Sequence, residues 1–220
     1  MQWVLPFIKV TAAAKLFRQA MGPVLAGVNG MQLSSRMNGW LHPVIRSDGT
    51  HDWGERVMRA GDFSKLGGFE FNPAHELEDV LPFNTANHCL REGNTVKIDI
   101  PAFRLRKKKS IPKEATHYRL VSFLLQIDFE SGTFTRTVQE GPLCVMGRKA
   151  GDGFAVEEII PALDEQGCFW LVGILFYKMV GEKPQLIKGG VMRVMEWIGP
   201  ESVIGLDRGS ICDSMNLRSF

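Results

Sequence analysis

Only four cysteines occur in 220 residues, and none stands in a Cys-x-x-Cys pair. A zinc ribbon or a dithiol redox motif is therefore not supported. Cys89, Cys144, Cys168 and Cys212 are scattered, and Cys144 and Cys168 have apolar neighbours, where a free thiol serves as a small core residue. Long apolar runs are missing too. None reaches the roughly 18–20 residues that a membrane-spanning helix needs. The longest candidate, Phe169 to Val180, contains Tyr177 and Lys178. The stretch from Trp3 to Ile8 is apolar, but no basic region precedes it and Lys9 interrupts it, so a secretory signal is not expected. The compartment stays open between the cytoplasm and export by a non-classical route. Nor is there an excess of one charge sign. A net charge of +2 does not by itself imply a polyanionic partner.

Catalytic signatures are absent as well. There is no Gly-x-Ser-x-Gly elbow, no His-Glu-x-x-His pattern and no Walker or dinucleotide fingerprint. The glycine-rich segment from Gly147 to Gly153 carries two basic residues, but its neighbours read as strands, so it is expected to be a hairpin loop. His51, Asp52 and Glu55 lie close enough for one helical face and read as a capping and ion-pair cluster. Glu157 and Glu158 are adjacent on a predicted strand. They point to opposite faces and cannot converge on one substrate. No catalytic, metal-binding or cofactor-binding residue is nominated, no cofactor is expected, and the chain does not read as an enzyme.

What is present is ample core material, 45% hydrophobic residues, in two textures. Up to residue 66 the pattern is helical. Helices are expected over Thr11–Met21, stopped by Gly22-Pro23, over Ser34–Ile45, weakened by Gly39 and Pro43, and over Asp52–Leu66, ended by Gly67-Gly68. From Gly67 onward, short β-branched or aromatic runs alternate with turn residues. Phe69–Phe71, Val96–Ile100, His117–Phe129, Thr133–Val138, Phe154–Ile160, Cys168–Val180, Gln185–Ile187 and Val191–Ile198 read as strands. Glu130-Ser131-Gly132 predicts a hairpin between the third and fourth of these runs. The apolar runs at Leu120–Ile127 and Phe169–Phe176 predict central strands covered on both faces, one face by the N-terminal helices. The fold class is thus mainly β, an antiparallel β-sandwich preceded by an N-terminal helical segment. The expected layout is helical over 1–66, sandwich over 67–200, and a C-terminal arm or strap over 201–220.

Several blocks carry a resemblance. Lys65 to Asn72 (KLGGFEFN), Val96 to Phe103 (VKIDIPAF), Ala115 to Glu130 (ATHYRLVSFLLQIDFE) and Leu171 to Val180 (LVGILFYKMV) follow the order of the core strands in a family of uncharacterised Bacteroidota proteins. The likeness spans roughly residues 55–198 and resembles that family's C-terminal β-sandwich-like region. It departs at the front, where the family opens with a glycine-rich β segment that this chain lacks. The resemblance implies the domain layout and a bacterial source, and no catalytic residue.

Two surface features remain. Arg104 to Lys113 (RLRKKKSIPK) holds Arg104, Arg106, Lys107, Lys108, Lys109 and Lys113 with no acid among them. It predicts a basic loop whose charges balance acids such as Glu76, Glu78 and Asp79. A nucleic acid or another acidic polymer is the alternative partner, and the low net charge argues against it. The second feature is apolar termini: Trp3 and Phe7 at one end, and Val203, Ile204, Leu206, Ile211, Leu217 and Phe220 at the other. These are candidate assembly contacts. The expected function is a non-enzymatic, homo-oligomeric subunit that self-associates through strand edges and terminal arms, into a filament or a ring. The alternative is a carbohydrate-type binding module using Trp40, Trp53, Trp170 or Trp197, of which the last two sit in apolar strands and read as core.

Overall fold

In the computed structural model, residues 4–28, 30, 32–64, 66–147, 149–161 and 167–200 are described. Helix α1 (Val4–Met21) buries Val10, Ala13, Ala14, Phe17 and Met21, the i, i+3, i+4, i+7 spacing of a single face. It starts earlier than its alanine-rich stretch. Gly22 ends it at φ +58 and Pro23 follows, opening a 3-10 turn over Gly22–Gly27. Helix α2 (Leu33–Ser47) buries Leu33, Met37, Leu41, Val44 and Ile45. Pro43 does not break it. Both Pro43 and Gly39, whose carbonyl loses a donor, lie on the exposed side, where water is the substitute partner.

The expected third helix over Asp52–Leu66 does not form. Those residues run through turns and bends around one buried carboxylate, Asp48. Asp48 Oδ1 accepts from Thr50 N (2.9 Å), Thr50 Oγ1 (2.8 Å) and His51 N (3.2 Å). Its Oδ2 accepts from Val57 N (3.0 Å) and lies 2.8 Å from His51 Nδ1. Burial pushes the carboxyl pKa up, but these hydrogen bonds outweigh it and hold the group well below the usual carboxylate range. So His51 pairs with Asp48, and the expected cluster at a helix start does not exist. Gly61 explains the remaining departure: a Cβ there would sit 2.2 Å from the Val44 carbonyl oxygen. Met58, Phe63 and Leu66 still reach the core, from loop rather than from helix.

Beyond the short helical turn α3 (Leu77–Val80) and a 3-10 turn over Thr85–Asn87, the remaining regular structure among the described residues is β. The strands are β1 (Cys89–Glu92), β2 (Thr95–Ile100), β3 (His117–Asp128), β4 (Thr133–Glu140), β5 (Cys144–Val145), β6 (Phe154–Ile159), β7 (Cys168–Val180) and β8 (Lys183–Ile198). They form two antiparallel sheets, a small one ordered β1-β2-β6 and a large one ordered β4-β3-β7-β8, with β5 also paired to β3. Strands β1 and β5 have too little pattern to be read in advance. The two runs Gln185–Ile187 and Val191–Ile198 are one strand, passing through Gly189-Gly190 with a register shift opposite Ile174/Phe176. Phe69–Phe71 is not a full strand. It makes one bridge, Glu70 to Arg193, and its backbone bonds Val194 and Met192 along the outer edge of β8.

The period-2 rule assigns the layers. On β3, Val121, Phe123, Leu125 and Ile127 face α1 and α2, joined on β7 by Phe169, Leu171 and Leu175. Leu120 and Leu124 face the small sheet with Trp170, Val172, Ile174 and Phe176, meeting Val96, Ile98, Ile100 and Phe154. The large sheet is therefore the middle of three layers, and β3 and β7 are apolar on both faces for that reason. Mainly-β architecture with N-terminal helices and two antiparallel sheets is what the sequence pattern predicts. No helix among the described residues is long and apolar enough to cross a membrane.

Candidate functional site

Strand β4 is the free edge of the large sheet. Its register with β3 runs unbroken from Val121/Glu140 to Asp128/Thr133. Its first five residues are exposed and the rest at most half-buried. Thr133, Thr135, Thr137 and Gln139 alternate with Phe134, Arg136 and Val138, and the second set faces α1. Arg136 is drawn inward: its Nη1 donates to the Ala20 carbonyl at 2.8 Å. A side chain on Gly22 would meet that guanidinium at 2.2 Å, a second reason for glycine there. The opposite edge, β8, is covered at Met192–Val194 by residues 68–71.

Of the predicted terminal contacts, Phe7 lies on α1 and is 56% exposed, beside Ile8 at 54%. Trp3, Val203, Ile204, Leu206, Ile211, Leu217 and Phe220 lie outside the described residues, as does Cys212.

An aromatic cleft of about 520 Å³ opens where β3, β7 and β8 end beneath the 59–64 loop. Phe63 stacks on Phe129 (centroids 5.7 Å, 11°) and on Trp197 (5.3 Å, 21°), with Ile127 and Phe169 also in the lining. Arg59, Asp62, Ser64 and Asp128 add polar groups to it. The Trp197 indole is pressed against two glycines: Cβ atoms at Gly167 and Gly199 would come within 2.3 and 2.8 Å of it. Trp197 is thus only partly core, whereas Trp170 is 2% exposed between the sheets and donates to Ser122 Oγ at 3.2 Å.

A second polar constellation ties the 70–79 segment to β8. Arg193 Nε donates to Glu70 Oε1 (2.5 Å), its Nη1 donates to Glu78 Oε1 (2.7 Å), and Glu76 Oε2 lies 3.7 Å from Nη2. Glu78 also accepts from Thr85 Oγ1 at 2.6 Å. Burial raises the Glu70 pKa to about 7 despite the bonds from Leu77 N and Arg193, and the Glu78 charge beside it adds to the rise. Glu78 moves the other way: burial opposes it, but Thr85 and Arg193 hold its pKa below the usual value. Glu70 Oε2 is buried with no hydrogen-bond partner among the described residues.

A raised carboxyl pKa means the folded state binds more protons than the unfolded state between about pH 4.5 and 7. Stability from this group is full below that window and falls as pH rises through it, by about 3 kcal/mol at most. Glu70→Gln is expected to flatten that decline and to be the more stable protein at pH 8. Urea denaturation of both proteins at pH 5 and pH 8 checks this, and parallel declines would contradict it.

The basic loop occupies an ordered position. Phe103, Leu105, Ile111 and Ala115 are buried, so Arg104 and Arg106 alternate outward. The expected neutralising acids are engaged elsewhere: Glu76 and Glu78 face Arg193, and Asp79 Oδ2 accepts from Glu76 N. Lys108 Nζ does reach this region, but it donates to the carbonyls of Asp79 (3.3 Å) and Leu81 (3.5 Å). Glu157 and Glu158 are on opposite faces, as predicted: Glu157 lies 3.8 Å from Lys97, while Glu158 is half-buried on the other side. Cys89, Cys144 and Cys168 are free and buried, and burial pushes the thiols of Cys89 and Cys168 up to about 12. Among the described residues, no three His, Cys, Asp or Glu side chains converge on a metal-sized site. Compared with known protein families, with curated proteins and with solved structures, the chain matches none.

Proposed function

We propose that this protein is a structural subunit that self-associates, and that the edge of β4 is the contact. The observation that carries the reading is the state of that edge. Six of the eight residues of this regular strand are exposed, and its outward backbone groups are unpaired along an edge without a proline or a bulge, whose one central charge, Arg136, is tied to the Ala20 carbonyl. Such edges template pairing with another chain unless one of those devices blocks them. The strand is rich in threonine, valine and phenylalanine, which favour this conformation.

A second copy is the natural partner because antiparallel pairing about a twofold axis joins the same strand to itself. An axis perpendicular to the sheet keeps each face on its own side, so only residues of like parity can oppose one another. Centring on Arg136 would set two guanidinium groups against each other. Centring on Val138 sets Arg136 opposite Glu140 twice, and that is the register expected. This contact closes at two subunits. A filament or ring needs a second contact, for which the exposed Phe7 and the apolar residues beyond 200 are the candidates.

The test is Thr135→Lys with Thr137→Lys, which adds the charges natural edges use. The double variant is expected to remain folded and become monomeric by light scattering. An unchanged oligomer would remove β4 from the interface.

One observation favours the alternative of a carbohydrate-type ligand module: the cleft falls within the roughly 300–1,000 Å³ of small-molecule sites and is lined by aromatic rings. A glycan array without hits would leave that reading unsupported.

A further inference from the structure

The basic loop is a strongly charged surface that neither the fold nor the proposed contact uses. It links β2 to β3 over residues 101–116 without regular secondary structure, yet it is fixed along its length. Gly147 N donates to Leu105 O (3.0 Å), Gly151 N to Phe103 O (2.8 Å) and Thr116 N to Tyr177 O (2.9 Å). Gly189, at φ +111, lies so close to the loop that a Cβ would come 2.4 Å from Pro112 Cγ. These ties recruit two further lysines. Lys149 sits between the two glycines bonded to 103–105, and Lys188 precedes the glycine packed on Pro112; both are exposed.

None of the six cations of the loop forms an ion pair among the described residues. Their hydrogen bonds go to neutral carbonyls: Arg104 Nε to Gly147 O (2.6 Å), Lys107 Nζ to Lys113 O (2.7 Å), and Lys108 Nζ to Asp79 O and Leu81 O. Carbonyl acceptors orient a cation without cancelling its charge. Acids placed in or beside the ridge include Glu114 in the loop, Asp152 next to Gly151, and Asp79, whose carbonyl accepts from Lys108 and Ser110. The chain's small net charge therefore hides a local concentration of positive charge.

We infer that this ridge binds the sugar–phosphate backbone of a nucleic acid without sequence preference. Phosphate contact follows from a row of oriented, unpaired cations on a fixed scaffold. Stacking on the rings the sequence offered, Phe103 and Tyr118, is not expected, because they are buried at 7% and 1% exposure and cannot meet a base. An anionic membrane fits less well. The loop's large apolar side chains, Phe103, Leu105 and Ile111, point into the core, leaving only small groups such as Pro101, Ala102 and the neighbouring Val145 to meet a lipid surface.

The experiment is fluorescence anisotropy with a labelled DNA duplex of mixed sequence. Binding is expected at about 50 mM salt, with an affinity loss of about 10²–10³-fold by about 200 mM, as roughly five phosphate contacts require. Arg106→Glu, Lys109→Glu and Lys113→Glu together should abolish it, since these side chains make no hydrogen bond among the described residues and the fold should survive. A control triple reversal at Lys15, Arg46 and Lys183 should retain most of the binding. No binding of the unaltered protein at low salt would overturn the inference, and so would equal losses in the two triple variants. Binding to phosphatidylserine vesicles but not to DNA would also overturn it. Self-association is read separately by mass, so neither proposal stands or falls with the other.

Discussion

Replacing Phe169 by alanine is expected to cost about 3–5 kcal/mol, the usual range for a fully buried ring. Phe169 is 1% exposed on β7, and its ring meets those of Phe17 (5.0 Å), Trp40 (6.0 Å), Phe63 (6.1 Å) and Phe129 (6.5 Å). These neighbours come from α1, α2, the 59–64 loop and the end of β3. One side chain thus joins the helical layer to the central sheet. With a domain's whole stability at about 5–15 kcal/mol, the alanine variant should sit near the edge of folding. Phe169→Leu, which keeps most of the volume, should cost roughly half as much or less. Urea denaturation of the three proteins measures both differences. A loss under about 1 kcal/mol for alanine would mean that the helices do not depend on this contact.

Asp48→Ala should cost about 3–4 kcal/mol, for a different reason. The carboxylate has no exposed surface and takes five hydrogen bonds, three of them from backbone N–H groups. Alanine leaves those donors unmet and releases the 50–57 turn. Asp48→Asn should recover only part of the loss, because an amide nitrogen in place of Oδ2 faces the Val57 N–H donor to donor. The pH dependence has a definite sign. A carboxyl held below its ordinary pKa contributes its full stability above its unfolded value, loses it progressively below that value, and has lost it once pH has fallen through the folded one. Asp48 should therefore still stabilise the protein at pH 3, where exposed carboxylates are largely protonated. If wild type and Asp48→Ala converge in stability by pH 4, the carboxylate is not held as described.

These two residues also show where sequence reading succeeds and where it stops. The role of Phe169 is legible: a run apolar at both parities marks a strand covered on both faces, and α1 supplies the matching i, i+3, i+4, i+7 stripe. The β3–β4 hairpin is legible because its turn and alternation are local. Asp48 is not. Residues 52–66 have helical spacing of apolar groups, yet a carboxylate four residues upstream captures the N–H groups of residues 50, 51 and 57 and the close approach of Gly61 to Val44 fixes a loop. Long-range pairings are hidden for the same reason. Arg193 meets Glu70 and Glu78 across 123 and 115 residues, which removes the acids that the basic loop was expected to face. The free edge of β4 depends on strand order, and strand order is set by non-local pairing. Once the order β4-β3-β7-β8 is known, the exposed threonine row becomes an edge.

The central claim is that this edge pairs with its own copy, and the mass of the purified protein in solution tests it most directly. Light scattering across a concentration series should give a species of at least twice the 24.6 kDa chain mass, falling to a single chain in the Thr135→Lys, Thr137→Lys variant. A wild-type mass of one chain at every concentration would contradict the account.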